Sequence, residues 1–171
     1  EYDNTPNITN FIVETTNLGS SDEVLFSIRF EDGDGDLGLG TDSIYFRAPY
    51  QKFIETPTDT SLNPCHYNFQ AKLFLETGLN SFTFFDPEEE LNDVGALSGR
   101  FGFLFDEDEK GPIDGLLTYE LQLFHSFIDL QPNTRAFFSV VIVDRACNVS
   151  NEIFSDTIVL NENNFTLPSL P

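Results

Sequence analysis

Residues 26–40 read FSIRFEDGDGDLGLG and set Asp32, Asp34 and Asp36 at alternate positions, with Gly33 and Gly35 between them. Side chains two apart on extended chain point the same way, and glycine lets the backbone curl, so the three carboxylates can converge. Converging anions repel one another unless a cation sits among them. Calcium, a hard divalent ion that takes about six to eight oxygens in flexible geometry, is the chemistry such a stretch suits. The register is not that of an EF-hand: counted from Asp32, Leu37 falls where that loop needs glycine, and Ser43 where it needs the bidentate glutamate. Further ligands must come from elsewhere. Asp42, Asp114 in GPIDG and Asp144 in VVIVDRACN are the candidates, each at a strand end or in an adjoining turn. A glycine- and aspartate-rich hairpin turn with solvated charges is the alternative reading.

Other chemistry has less support. His66 lies beside Cys65, which would allow a thiol nucleophile with an imidazole base, but no orienting third residue and no family signature accompany the pair. A structural histidine beside a disulfide is the plainer reading. No HExxH, GxSxG, phosphate-binding glycine loop or dinucleotide fingerprint occurs. Paired carboxylates for glycoside hydrolysis carry no information in a chain with 29 acids. The expectation is a protein that is not an enzyme, serving either as a structural or interaction subunit or, alternatively, as a glycan- or peptide-binding module.

The elements that must position the aspartates are strands. EVLFSIRF puts Val24, Phe26, Ile28 and Phe30 on one face and Ser27 and Arg29 on the other, and LLTYELQLF alternates Leu117, Tyr119, Leu121 and Leu123 against Thr118, Glu120 and Gln122. Both read as half-buried strands of an antiparallel sheet. RAFFSVVIVD, residues 135–144, is a nearly continuous apolar run and reads as a central strand. NITNFIVETT, FQAKLFLE, SFTFF, RFGFLF and EIFSDTIVL bring the candidates to about eight. Short strands separated by turn signals, without a convincing helix, predict an all-β, two-layer antiparallel β-sandwich with Phe26, Ile28, Phe30, Leu121, Val141 and Val143 in its core. The sandwich is expected over residues 8–160, with a long insertion at about 47–99, an extended linker at 1–7 and a tail at 161–171. Within the insertion, DPEEELNDV suits one helical turn, with Pro just after an aspartate cap.

Composition narrows the setting. Acids outnumber bases 29 to 8 for a formal charge of -21, a field that repels phosphate backbones and anionic membrane surfaces, so no nucleic-acid partner is expected. The chain has no methionine and hence no initiator, and a signal segment removed on export is the expectation. Cys65 and Cys147 belong to no CxxC pair. In an exported chain they would form one disulfide, with two buried free thiols as the alternative.

IRFEDGDGDLGLG, followed about a hundred residues later by VVIVDRACNVSNEIFSDTIVL, resembles the small immunoglobulin-like outer-membrane lipoproteins of Bacteroidota, which share an F-x-DGDGD-[LI]-G stretch and a D-R-A-G-N-x-S-N ending. The opening NTPNITNFIVE also resembles their mature N-terminus, just beyond a lipidated cysteine. The resemblance covers residues 6–17, 24–40 and 112–160. It implies an immunoglobulin-like sandwich in the cell envelope, attached to the outer membrane only through an N-terminal lipid, with no assigned activity. An outer-membrane protein or envelope complex is the partner expected of an interaction subunit in that setting. The resemblance also implies a calcium site on Asp32, Asp34 and Asp36, with Asp144 as the contribution from afar. Cys147 departs from the pattern, standing where the similar proteins have glycine.

Overall fold

The computed structural model describes residues 2–40, 43–91, 95–104, 111–126 and 128–162. Among these residues ten strands follow in chain order: β1 (Asn7–Asn17), β2 (Ser21–Asp32), β3 (Phe53–Glu55), β4 (Thr60–Leu62), β5 (Phe69–Gly78), β6 (Ser81–Phe85), β7 (Ile113–Phe124), β8 (Thr134–Ile142), β9 (Ile153–Phe154) and β10 (Ile158–Leu160). One antiparallel sheet runs β1-β2-β7. The second runs β10-β8-β5-β6, with β9 also paired to β8, and β3-β4 is a separate hairpin. The protein is therefore an all-β sandwich.

Alternation drives the packing. In β2, Val24, Phe26, Ile28 and Phe30 are all buried. Phe26 crosses the interlayer space to meet Phe69 of β5 at 5.5 Å and Phe138 of β8 edge-on at 5.0 Å between ring centroids. Such pairs add about 0.5–1.5 kcal/mol each beyond the area they bury. One edge of the sandwich is closed by side chains. The Asn151 amide accepts from Ile8 N–H at 2.7 Å and donates to Ile8 O at 3.0 Å, and Asn17 Nδ2 donates to Glu162 O at 3.0 Å.

Several expectations are corrected. The stretch 47–99 is not wholly an insertion, because β5 and β6 within it are strands of the second sheet. Residues 100–104 of RFGFLF form no strand. Their neighbour Gly99 makes a single bridge to Phe69, and Leu39 N–H donates to Phe101 O at 3.0 Å, so this segment spends its hydrogen bonds on loops. The run at 135–144 gives the core one face: Ala136, Phe138, Val140 and Ile142 point inward, and Val141 lies on the outer face. Val143 is buried because the strand ends at Ile142 and the period breaks there. Leu121 is partly buried and packs against the core. The expected helical turn is α1 (Pro87–Leu91), where Asp86 Oδ1 accepts from Glu88 N–H at 2.9 Å. Pro6 is buried and Asp3 O accepts from Gly33 N–H at 2.7 Å, so the opening residues lie on the domain and are not a free linker. Most of the expected tail, from residue 163, lies outside the described residues.

Candidate metal centre

The inward parity of β2 does not stop at Phe30. It carries on to Asp32, which sits opposite Ile113 in the ladder and is 0% exposed. The chain then turns through glycines that the geometry requires. A Cβ on Gly33 would lie 2.5 Å from Tyr2 O and 2.6 Å from Asp3 O, and Gly35 has φ 68°, in the left-handed region where a side chain is strained. The curled backbone is tied down on two sides: Asp34 O accepts from Gly111 N–H at 3.1 Å, and Asp36 O accepts from Arg145 Nε at 2.9 Å.

This brings carboxylate oxygens of Asp32, Asp34 and Asp36 within 4.8 Å of one another. Both oxygens of Asp32, and Oδ1 of Asp34 and of Asp36, are buried without a hydrogen-bond partner among the described residues. The Asp36 amide points toward the Asp32 carboxylate without reaching bonding geometry, so it offsets little. Burial, then repulsion from Asp34, Asp36 and Asp144, pushes Asp32 up to about 7. Burial, then Asp144 and Asp34, pushes Asp36 up to about 6. Buried polar groups in native proteins almost always have partners, and an unpaired buried carboxylate is costlier still. A cation among these oxygens removes that cost, and an all-oxygen donor set suits calcium over softer metals.

Of the more distant candidates, Asp144 is 1% exposed and stands beside the cluster, its backbone bridging Leu37. Its oxygens each accept a 2.7 Å hydrogen bond from Asn148, one from the backbone N–H and one from Nδ2. Burial raises its pKa, against the pull of Asn148. Asp144 is thus a held neighbour of the three converging aspartates, with lone pairs left to share. Asp114 is exposed on the wet face of β7 opposite Glu31, away from the cluster. Asp42 lies outside the described residues. Sequence reasoning missed Asn148 and Arg145, which orient the Asp144 turn and anchor Asp36. Their signal was present in DRACN, a turn sequence rich in side-chain donors.

Cys65 and Cys147 are joined in a disulfide, with Cα atoms 5.2 Å apart. It pins the segment before β5 to the turn that holds Asp144. Cys147 keeps the left-handed backbone that glycine would take, at φ 68°. With Cys65 so engaged, no thiol is left to pair with His66. That imidazole has Nδ1 2.8 Å from Tyr50 O and 2.8 Å from an Arg100 guanidinium nitrogen, and burial pushes its pKa below the ordinary histidine value.

No protein-family model, curated protein or solved structure matches this chain.

The raised carboxyls give a pH dependence with a definite sign. In the unfolded chain these groups ionise near 3.9, whereas in the metal-free fold Asp32 and Asp36 hold their protons to about 7 and about 6. Between those limits the folded state binds more protons, so stability falls as pH rises. In chelator, the melting temperature should drop from pH 5 to about pH 7.5, and Asp32→Asn should flatten the slope. With calcium the drop should vanish, because the ion takes the place of the protons.

Proposed function

We propose that this domain is a calcium-ordered, non-catalytic interaction module of the cell envelope, a lipoprotein that serves as an accessory subunit of an outer-membrane protein or assembly. The calcium half of this reading is carried by one observation: Asp32 is fully buried with neither carboxylate oxygen bonded, facing Asp34 and Asp36. Asp32, Asp34 and Asp36 would hold the ion, with Asp144 beside them. Bound calcium supplies charge neutralisation and fixes the loops that meet at this end of the sandwich. The resemblance supports the envelope setting and the lipid anchor. The interaction half is supported by large apolar side chains left on the surface, among them Phe84 at 42% and Phe154 at 56% exposed.

Extraction of native envelopes in mild detergent, followed by affinity capture of the full protein, is expected to bring down a membrane protein in stoichiometric amount. A protein recovered alone would contradict the accessory role. So would a purified domain that turned over a substrate and lost that activity on substitution of one carboxylate.

A further inference from the structure

We propose that the outer face of the second sheet, together with the groove under the β3-β4 hairpin, docks an apolar protein segment flanked by lysine or arginine. This rests on reading the domain as an interaction module and names the surface and the chemistry of the partner.

The face is built by the same alternation that builds the core, read on the other side. Phe74 stands opposite Phe84 in the β5-β6 ladder and opposite Phe137 in the β5-β8 ladder. Phe154 of β9 continues the row, 6.1 Å from Phe137 and 6.4 Å from Phe74 between ring centroids, and Phe82 adjoins it 5.0 Å from Phe137. Five phenylalanines thus form one aromatic band on the side of the sheet turned away from the core. Beside the band, the hairpin stands over the sheet and encloses a groove of about 710 Å³, walled by Phe53 and Leu62 above and by Val141 and Phe84 below. Phe53 is itself 43% exposed.

The occupant is set by what this surface leaves unsatisfied. Four of its polar side chains are paired: Lys72 Nζ bonds Glu152 at 2.9 Å, Ser139 Oγ donates to the same oxygen at 2.8 Å, and the Gln70 amide donates to Pro64 O and Tyr67 O. Phe74 and Phe137 stack on each other at 4.7 Å with planes 13° apart, so they cover each other's faces, where a sugar would have to stack. Apolar side chains are the fitting contact. Charge then selects among apolar partners. Among the described residues, the groove carries Asp59, Asp86, Glu88 and Glu152 against one cation, Lys72, already paired. A second copy of this chain would bring the same acids to the same place and a net charge of -21, so like charge opposes self-docking. A segment with apolar residues in the groove and basic residues at the rim is complementary on both counts.

The test uses the full chain in calcium and a synthetic peptide of alternating leucine and lysine, with an alternating serine and lysine peptide of equal charge as control. At an ionic strength of about 0.15 M, where long-range attraction is screened, the leucine peptide is expected to bind and the serine peptide to bind at least about tenfold more weakly. Phe84→Thr with Phe154→Thr, two exposed positions where threonine suits a strand, should weaken leucine-peptide binding about tenfold or more, as loss of central apolar contacts does. Calcium binding and melting temperature should hold in that variant. Asp86→Asn with Glu88→Gln should weaken binding and lessen its salt dependence. Equal binding of the two peptides, no binding of either, indifference to the phenylalanine substitutions, displacement by soluble oligosaccharide, or dimerisation that covers the face would each overturn the proposal. The phenylalanine variant also separates this inference from its premise. If it still brings down the membrane partner, the face is wrong and the module reading stands; if the wild-type protein brings down none, the premise has failed.

Discussion

Moving the domain from calcium into chelator near neutral pH is expected to lower its melting temperature by about 5–10 °C. The figure follows from mass action. A ligand at a hundredfold its dissociation constant stabilises the fold by about 2.7 kcal/mol, and a chain of this size shifts by about 2–4 °C per kcal/mol. Substitution at Asp32 should reverse sign between the two conditions. In calcium, Asp32→Asn removes a fully buried carboxylate whose oxygens have no other partner, and the melting temperature should fall. In chelator the same change removes a buried charge repelled by Asp34, Asp36 and Asp144, and the melting temperature should rise above that of the unaltered chain. Asp34→Asn should abolish most of the calcium response and leave the fold intact. A purely structural aspartate would lose stability in both conditions, and melting curves of the two variants with and without calcium distinguish the cases.

Breaking the disulfide should cost more. Cys65 and Cys147 are 82 residues apart, and closing a loop of that length restricts the unfolded chain by about 4.5 kcal/mol on the chain-entropy argument. Cys65→Ser with Cys147→Ser should lose most of this, read as a lower denaturant midpoint with a steeper slope, because the uncrosslinked chain unfolds to a more expanded state. The backbone adds a second, opposite effect. Cys147 sits at φ 68°, where a non-glycine residue is strained by about 1–2 kcal/mol. Cys65→Ser with Cys147→Gly should therefore be the more stable of the two double variants by about 1 kcal/mol. Thiol labelling of the unfolded, unreduced protein should find no free cysteine. Calcium affinity should fall modestly in both variants, because the bridge tethers the turn that holds Asp144.

The residues show why some of this was legible in advance and some was not. Strong alternation in β2 revealed its inward face, and the same period extended two residues further marks Asp32 as buried, which separates it from a solvated turn. Convergence of Asp34 and Asp36 was legible because glycine at 33 and 35 serves little purpose but to curl the chain. RFGFLF misled because Phe101 and Phe103 pack as loop anchors, and period alone does not tell a loop under a sandwich from a strand in it. FFSVV misled for a related reason: with phenylalanine on both sides, nothing in the pattern says that Phe137 and Val141 face outward. The aromatic band arises from cross-strand register between β5, β6, β8 and β9, and register between distant segments is not written in any one of them. Asp144 was identifiable as a strand-end acid, but its restraint by Asn148 depends on the conformation of the turn.

The most direct measurement of the central claim is a calorimetric titration of the metal-free domain with calcium. The account predicts binding of one ion per chain, tighter at about pH 7.5 than at about pH 5.5 because the carboxyls must give up their protons, with the heat lost in Asp32→Asn and strongly reduced in Asp34→Asn. No binding up to millimolar calcium, or binding that both variants retain unchanged, would contradict it.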